Sequence, residues 1–185
     1  MNRRVEAQRR GDFFRRVYPM IASVEGNVAE CGVLYGHSLG MLANLIVQEN
    51  KERHLYGFDA WAGFRTDGVP TVSWESAQHA VDAAMAASFI RGDQVTLARG
   101  WFANILPQAV TGPLAFLHLD CDDGKAYETC LRMLWPRLAK GAIVVLDEYG
   151  SSKWTLVRPT VDYFLKCQPE DGWKLVEDTR WYIQR

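Results

Sequence analysis

The feature that most constrains this chain is an alternation: short apolar runs ending in an acidic residue or a glycine, each followed by a stretch with helical spacing. Residues 27–33 (NVAECGV), 54–59 (HLYGFD), 94–98 (QVTLA), 113–120 (PLAFLHLD) and 142–147 (AIVVLD) read as five strands. Between and after them, residues 38–48, 74–89, 101–106, 127–138 and 154–167 read as helices, the fourth with Pro136 near its end. Parallel strands covered on both faces carry continuous apolar runs, as LAFLHL and AIVVL do. The pattern predicts an α/β fold with a mainly parallel sheet and helices on both faces. Residues 4–22 read as an N-terminal helix broken near Gly11 or Pro19, and residues 173–184 (WKLVEDTRWYIQ) as a closing hairpin. With no internal repeat, low-complexity tract or linker, the expectation is one domain over 1–185: an N-terminal helical segment (1–23) and an α/β core (24–185). The Gly- and Pro-containing loop 62–71 is its expected mobile element.

Charge and cysteine content narrow the function classes. Lys and Arg (21) nearly balance Asp and Glu (22), which disfavours a nucleic-acid binder. The longest apolar runs, such as 142–146 and 113–117, are too short to span a bilayer. The opening residues MNRRVEAQRRGDFF are charged and lack the apolar stretch of a secretory signal, so a soluble, cytoplasmic protein is expected. Four cysteines without a CxxC pair fit that compartment, and Cys31 and Cys121 read as small buried hydrophobes. The cluster Arg9, Arg10, Arg15 and Arg16 reads as a solvated helix face in preference to an anion patch.

In an open α/β sheet, ligands bind beyond the carboxyl ends of the strands, where strand order reverses. The first turn there, 30–38 (ECGVLYGHS), has Gly32 and Gly36 at a strand-to-helix junction but lacks the third glycine of the dinucleotide fingerprint. Glu30 in that space would repel a diphosphate. It would favour a ligand with a cationic part, such as the ammonium and sulfonium of S-adenosylmethionine. Asp59, ending the second run, is placed to bind a ribose diol, which disfavours a 2′-phosphate; alternatively it caps the turn that follows. Asp120 ends the fourth run, while Asp147 and Glu148 end the fifth. Neighbouring parallel strands would bring these three carboxylates together, where they repel unless one is protonated or a cation lies between them. An all-oxygen set selects a hard ion such as Mg²⁺ over zinc, and helix capping or arginine pairing is the plainer alternative.

These segments resemble a known family. VEGNVAECGVLYGHS, LYGFDAWAGF, LARGWFANILP, LHLDCD and LWPRLAKGAIVVLDEYG are similar, in order, to the motifs of the macrocin O-methyltransferases, class I S-adenosylmethionine enzymes that use a divalent metal. The resemblance runs over about residues 24–150. It implies a Rossmann-like, seven-stranded sheet with an antiparallel last strand. It also implies that Glu30, Gly32, Gly36 and Ser38 line the methionine part of the cofactor, that Asp59 holds the ribose, and that Gly100 and Trp101 lie by the adenine. Mg²⁺ or a similar ion would sit on Asp120, Asp147 and Glu148 and activate an acceptor hydroxyl. The chain departs from the family pattern with Glu148 in place of an aspartate, with the stretch 122–127 (DDGKAY), and with a short segment before the first strand.

The expected reaction is O-methylation of a small polyhydroxylated acceptor, a sugar or polyketide-type natural product. Asp120, Asp122, Lys125 and His37 are the candidates for taking the proton, and His118 reads as a core histidine. Trp61, Phe64, Trp101 and Tyr149 are candidate acceptor walls. Phe13, Phe14 and Tyr18 offer a surface for a homo-oligomer. A nucleotide-binding Rossmann enzyme and a non-catalytic S-adenosylmethionine binder are the competing readings.

Overall fold

The computed structural model describes residues 3–62, 72–110, 112–169 and 172–185. Seven strands form one sheet: β1 (Asn27–Cys31), β2 (Leu55–Asp59), β3 (Val95–Arg99), β4 (Leu114–Leu119), β5 (Leu138–Leu146), β6 (Lys174–Glu177) and β7 (Trp181–Gln184). Their order is β3-β2-β1-β4-β5-β7-β6. Strands β1 to β5 pair in parallel, and β7 runs antiparallel to both β5 and β6. Order reverses between β1 and β4, which opens a crevice at their carboxyl ends.

Helices cover both faces. One face packs under α1 (Arg3–Val17), α2 (His37–Glu49) and α3 (Trp74–Ser88), with Phe13, Phe14, Leu39, Leu42, Phe116 and Val145 in its core. The other packs under α4 (Phe102–Ala109), α5 (Gly124–Leu134) and α6 (Val157–Lys166), around Phe58, Leu117, Tyr127, Leu131 and Leu146. Every residue of β4 is buried, as a central strand sandwiched between helix layers requires.

Local chemistry sets the boundaries. Helix α1 runs through Gly11 and gives way to a short 3₁₀ turn at Tyr18–Ile21, with Pro19 at its start. Helix α5 begins at Gly124, three residues before its expected start, because the Asp123 side chain accepts from the Ala126 N–H at 3.0 Å. The departure at 122–127 is therefore the first turn of this helix. Pro136 ends α5 in a 3₁₀ turn, and β5 starts at Leu138 instead of residue 142. Residues 63–71 of the loop expected to be mobile lie outside the described residues; Ala62 at its border makes an isolated antiparallel bridge to Ser73. Phe13, Phe14 and Tyr18 are buried in the chain's own core, with Phe14 edge-on to Phe116 and His118, so they offer no surface to a second subunit. No helix among the described residues is long and apolar enough to cross a membrane.

Candidate active site

Strand register decides which side chains meet. Glu30 on β1 lies level with His118 on β4, and His118 with Val145 on β5. Side chains at matched positions of paired strands share a face, and every second residue returns to it. Glu30, His118, Asp120 and Asp147 therefore line up under α1. Glu30 Oε1 is 2.7 Å from His118 Nδ1, and both side chains are fully buried. His118 Nε2 stands 3.6 Å from Asp147, too long for a good hydrogen bond but close enough for charge attraction. Burial works against a charged His118, yet Asp147 and Glu30 outweigh it and raise its pKa to about 9. Burial pushes Glu30 upward against its bond to His118, and its Oε2 has no partner among the described residues.

Two arginines complete this row: Arg10, expected on a solvated helix face, and Arg180, which the sequence pattern does not mark. Arg10 of α1 donates from one terminal nitrogen to Asp120 at 2.7 Å and from the other to Asp147 at 2.8 Å. Arg180, in the β6–β7 turn, pairs with Asp147 and with Glu6 of α1. Burial raises the Asp147 pKa, but His118, Arg10 and Arg180 prevail and hold it well below the usual carboxylate range. Arg10 is thus withdrawn from the solvated face it was expected to occupy, while Arg16 and Arg15 pair near the surface with Asp178 and Asp12.

Glu148 follows Asp147 and points to the opposite face. There it meets Tyr127 of α5, with Glu148 Oε2 2.6 Å from the phenol oxygen, which itself lies 2.7 Å from the Leu119 carbonyl. Burial first, then the charges of Asp120 and Asp147, drive the Glu148 pKa far up. A neutral Glu148 donating to Tyr127, with Tyr127 donating to Leu119, satisfies both groups. Asp120 sits between two clusters whose ligand atoms lie within 4.8 Å: His118–Asp120–Asp147 on one side and Asp120–Asp122–Glu148 on the other. The three acids expected to cage one hard ion are thus divided between the faces. Their first pair already holds a guanidinium, and Glu148 is turned to a phenol. The expected set of Asp120, Asp147 and Glu148 therefore does not close around one ion, although Asp120, Asp122 and Glu148 bring their oxygens within 4.8 Å of one another beside it.

The remaining strand ends surround the crevice. Asp59 accepts from the Leu34 N–H at 2.9 Å and the Trp61 N–H at 2.8 Å, one on each oxygen, so it caps its turn and ties that turn to the β1–α2 loop. Each oxygen keeps lone-pair capacity for a further donor. At Gly32, with φ +97°, a Cβ would stand 1.9 Å from the Asp120 carbonyl; only glycine lets β1 and β4 approach this closely. Gly36 starts α2 in the left-handed region, Ser38 is buried in its first turn, and Gly100 donates to the Asp59 carbonyl at 2.9 Å. Trp101 is 53% exposed at the rim.

Other expected participants fall elsewhere. Trp61 and Tyr149 are buried, the first against Trp74 and the second bonded to Asp162 at 2.5 Å; Phe64 lies outside the described residues. His37 is exposed beside the Tyr35 ring. Lys125 lines a separate groove of about 520 Å³ between α5 and α6 that contains no strand-end acid. Asp122 remains at the crevice with left-handed backbone (φ +59°); burial and the Asp120 charge raise its pKa to about 6. Cys31 is buried, and Cys121 partly so.

Comparison with known proteins bears on the family and the fold. The family model described as Macrocin-O-methyltransferase (TylF) matches residues 8–168. The chain is 33% identical over 148 residues to the 8-demethyl-8-(2,3-dimethoxy-alpha-L-rhamnosyl)-tetracenomycin-C 4'-O-methyltransferase of Streptomyces olivaceus, covering 69% of this chain and 54% of that protein. It is 30% identical over 142 residues to the Mycinamicin III 3''-O-methyltransferase of Micromonospora griseorubida, covering 68% and 56%. The chain thus spans about half the length of the curated relatives it matches. The solved O-methyltransferase NovP shares the fold, with a TM-score of 0.76 at 21% identity over 97% of this chain and 79% of that one. With most of its length matched by one family model and a relative 33% identical over 69% of it, the chain belongs to the macrocin O-methyltransferase (TylF) family.

Proposed function

We propose that this chain, acting as one catalytic domain, transfers a methyl group from S-adenosylmethionine to a hydroxyl of a sugar-bearing, polyketide-type natural product. The observation that supports the reading is the strand order, which sets the carboxyl ends of β2, β1 and β4, and with them Asp59, Glu30 and Asp120, side by side where the order reverses. The names of the two relatives support the acceptor class. Asp59 receives the ribose hydroxyls on its free lone pairs. Gly32, Gly36 and Ser38 form the wall along the methionine part. Glu30, buried against His118, contributes negative charge from the floor. Gly100 and Trp101 flank the adenine.

The acceptor oxygen attacks the sulfonium methyl in line: a C–O bond forms, the C–S bond breaks, and S-adenosylhomocysteine leaves. Asp122 takes the hydroxyl proton. Its raised pKa brings a carboxylate nearer to neutrality, which suits a general base. Asp120, held by Arg10, lies beside the reacting groups.

The test is turnover. Methyl-labelled S-adenosylmethionine and a panel of rhamnosylated aromatic polyketides are incubated with the chain, with label on a sugar hydroxyl and S-adenosylhomocysteine as products. Donor binding without turnover on any acceptor supports the second reading, a non-catalytic binder, which the retraction of Glu148 toward Tyr127 favours.

A further inference from the structure

We infer that Arg10 supplies from within the chain the positive charge that the family resemblance assigns to a divalent ion at Asp120 and Asp147. The inference rests on the methyltransferase reading and adds to it that this site works without a bound metal. The two terminal nitrogens of one guanidinium reach one carboxylate each, at 2.7 and 2.8 Å, so Arg10 spans the gap an ion would fill. Such charge-assisted bonds are short, directional and among the stronger polar contacts in proteins. All three side chains are largely sheltered, at 18%, 19% and 10% exposure, which limits screening by water.

The arginine is also held from behind. Phe13, Phe14 and Val17 anchor α1 on the sheet, Glu6 pairs with Arg180, and Arg180 takes the other Asp147 oxygen. An incoming ion would have to strip two arginines from Asp147 and unseat the first turns of α1. Arg10 acts as a positioning residue: its two contacts fix the direction of Asp120 and Asp147 at the strand ends. Lysine replaces the charge but not the geometry, because an ammonium lacks the planar fork that spans two carboxylates.

The experiment measures Mn²⁺ uptake by electron paramagnetic resonance on the full chain after EDTA treatment, for the wild type, Arg10→Met, Arg10→Lys and Arg10→Met/Asp120→Asn. The wild type is expected to bind no Mn²⁺ below millimolar concentration. Arg10→Met is expected to gain a site at least tenfold tighter, which Asp120→Asn in that background removes. Arg10→Lys should be folded, should still exclude Mn²⁺, and should show a lowered melting temperature. One tight Mn²⁺ per wild-type chain, lost in Asp120→Asn alone, would overturn the inference. Absence of a gained site in a folded Arg10→Met chain would overturn it equally. If Arg10→Met does not fold, the wild-type uptake decides. S-adenosylmethionine affinity measured in EDTA on the same wild-type sample separates the two claims. Donor binding with tight Mn²⁺ uptake refutes only the arginine's role, whereas absence of donor binding refutes the methyltransferase reading.

Discussion

At the residue scale the site is governed by side-chain parity. Asp147 and Glu148 are adjacent in sequence, so one faces α1 and the other α5. The sequence reading grouped them because both end the same apolar run. The period of two is present in the sequence, and applied to Asp147 and Glu148 it separates the two, leaving Asp120 between them. Partners from other elements were less accessible: Arg10 and Arg180 lie far from Asp147 along the chain, and no local pattern announces them. His118 reads as a core histidine and is one, yet it is also the hinge of the buried charges. It holds its proton more tightly when folded (about 9) than unfolded (about 6.5). Its contribution to stability is therefore complete below about 6.5 and drains away as pH rises through about 9. Urea midpoints measured from pH 6.5 to 10 should fall more steeply for the wild type than for His118→Gln; parallel curves would contradict this. Asp122→Asn should lower kcat by about 10²–10⁴-fold. It should also remove the limb on which the wild-type rate rises as Asp122 deprotonates near pH 6, read from a pH–rate profile.

At the element scale, the connections carry as much weight as the helices. Arg53, 2% exposed, donates to the carbonyls of Ile21, Val24 and Gly26 and pairs with Glu49. It clamps the bend through which the chain passes from α1 into β1 and so sets how α1 lies over the strand ends. Arg53→Ala takes this donor from three carbonyls and leaves Glu49 with Tyr18 alone at hydrogen-bond distance, and should cost about 3–5 kcal/mol in urea unfolding. A loss under 1 kcal/mol would show that water replaces the clamp. The reading placed most strands within a residue or two because central parallel strands are apolar throughout. It missed the start of β5, where Ala139, Lys140 and Gly141 interrupt the apolar run while the backbone remains in the ladder. It also started α5 late, because Asp123 caps from outside the apolar periodicity.

For the whole molecule, the class of fold followed from the alternation of strand and helix, and the seven-stranded order completes it with β7 inserted antiparallel between β5 and β6. That order puts the ends of β1, β2 and β4 side by side, so residues scattered from Glu30 to Asp122 share one crevice. Sequence patterning does not encode strand order; the resemblance to a family implies seven strands with the last antiparallel, and the structure supplies the order. The strand ends are covered on one side by α1, whose aromatic residues, a candidate surface for a second subunit in the sequence, pack into the chain's own core. Phe14→Ala, which opens a void beside Phe116 and His118, should destabilise the fold by about 3–5 kcal/mol. The most direct measurement is a calorimetric titration of S-adenosylmethionine into the wild-type chain and Asp59→Asn. The account predicts one donor molecule bound per wild-type chain and binding about ten- to a hundredfold weaker in the variant, the size of lost hydrogen bonds to a charged group. No binding by a folded wild-type chain, or equal affinity in the two, would contradict it.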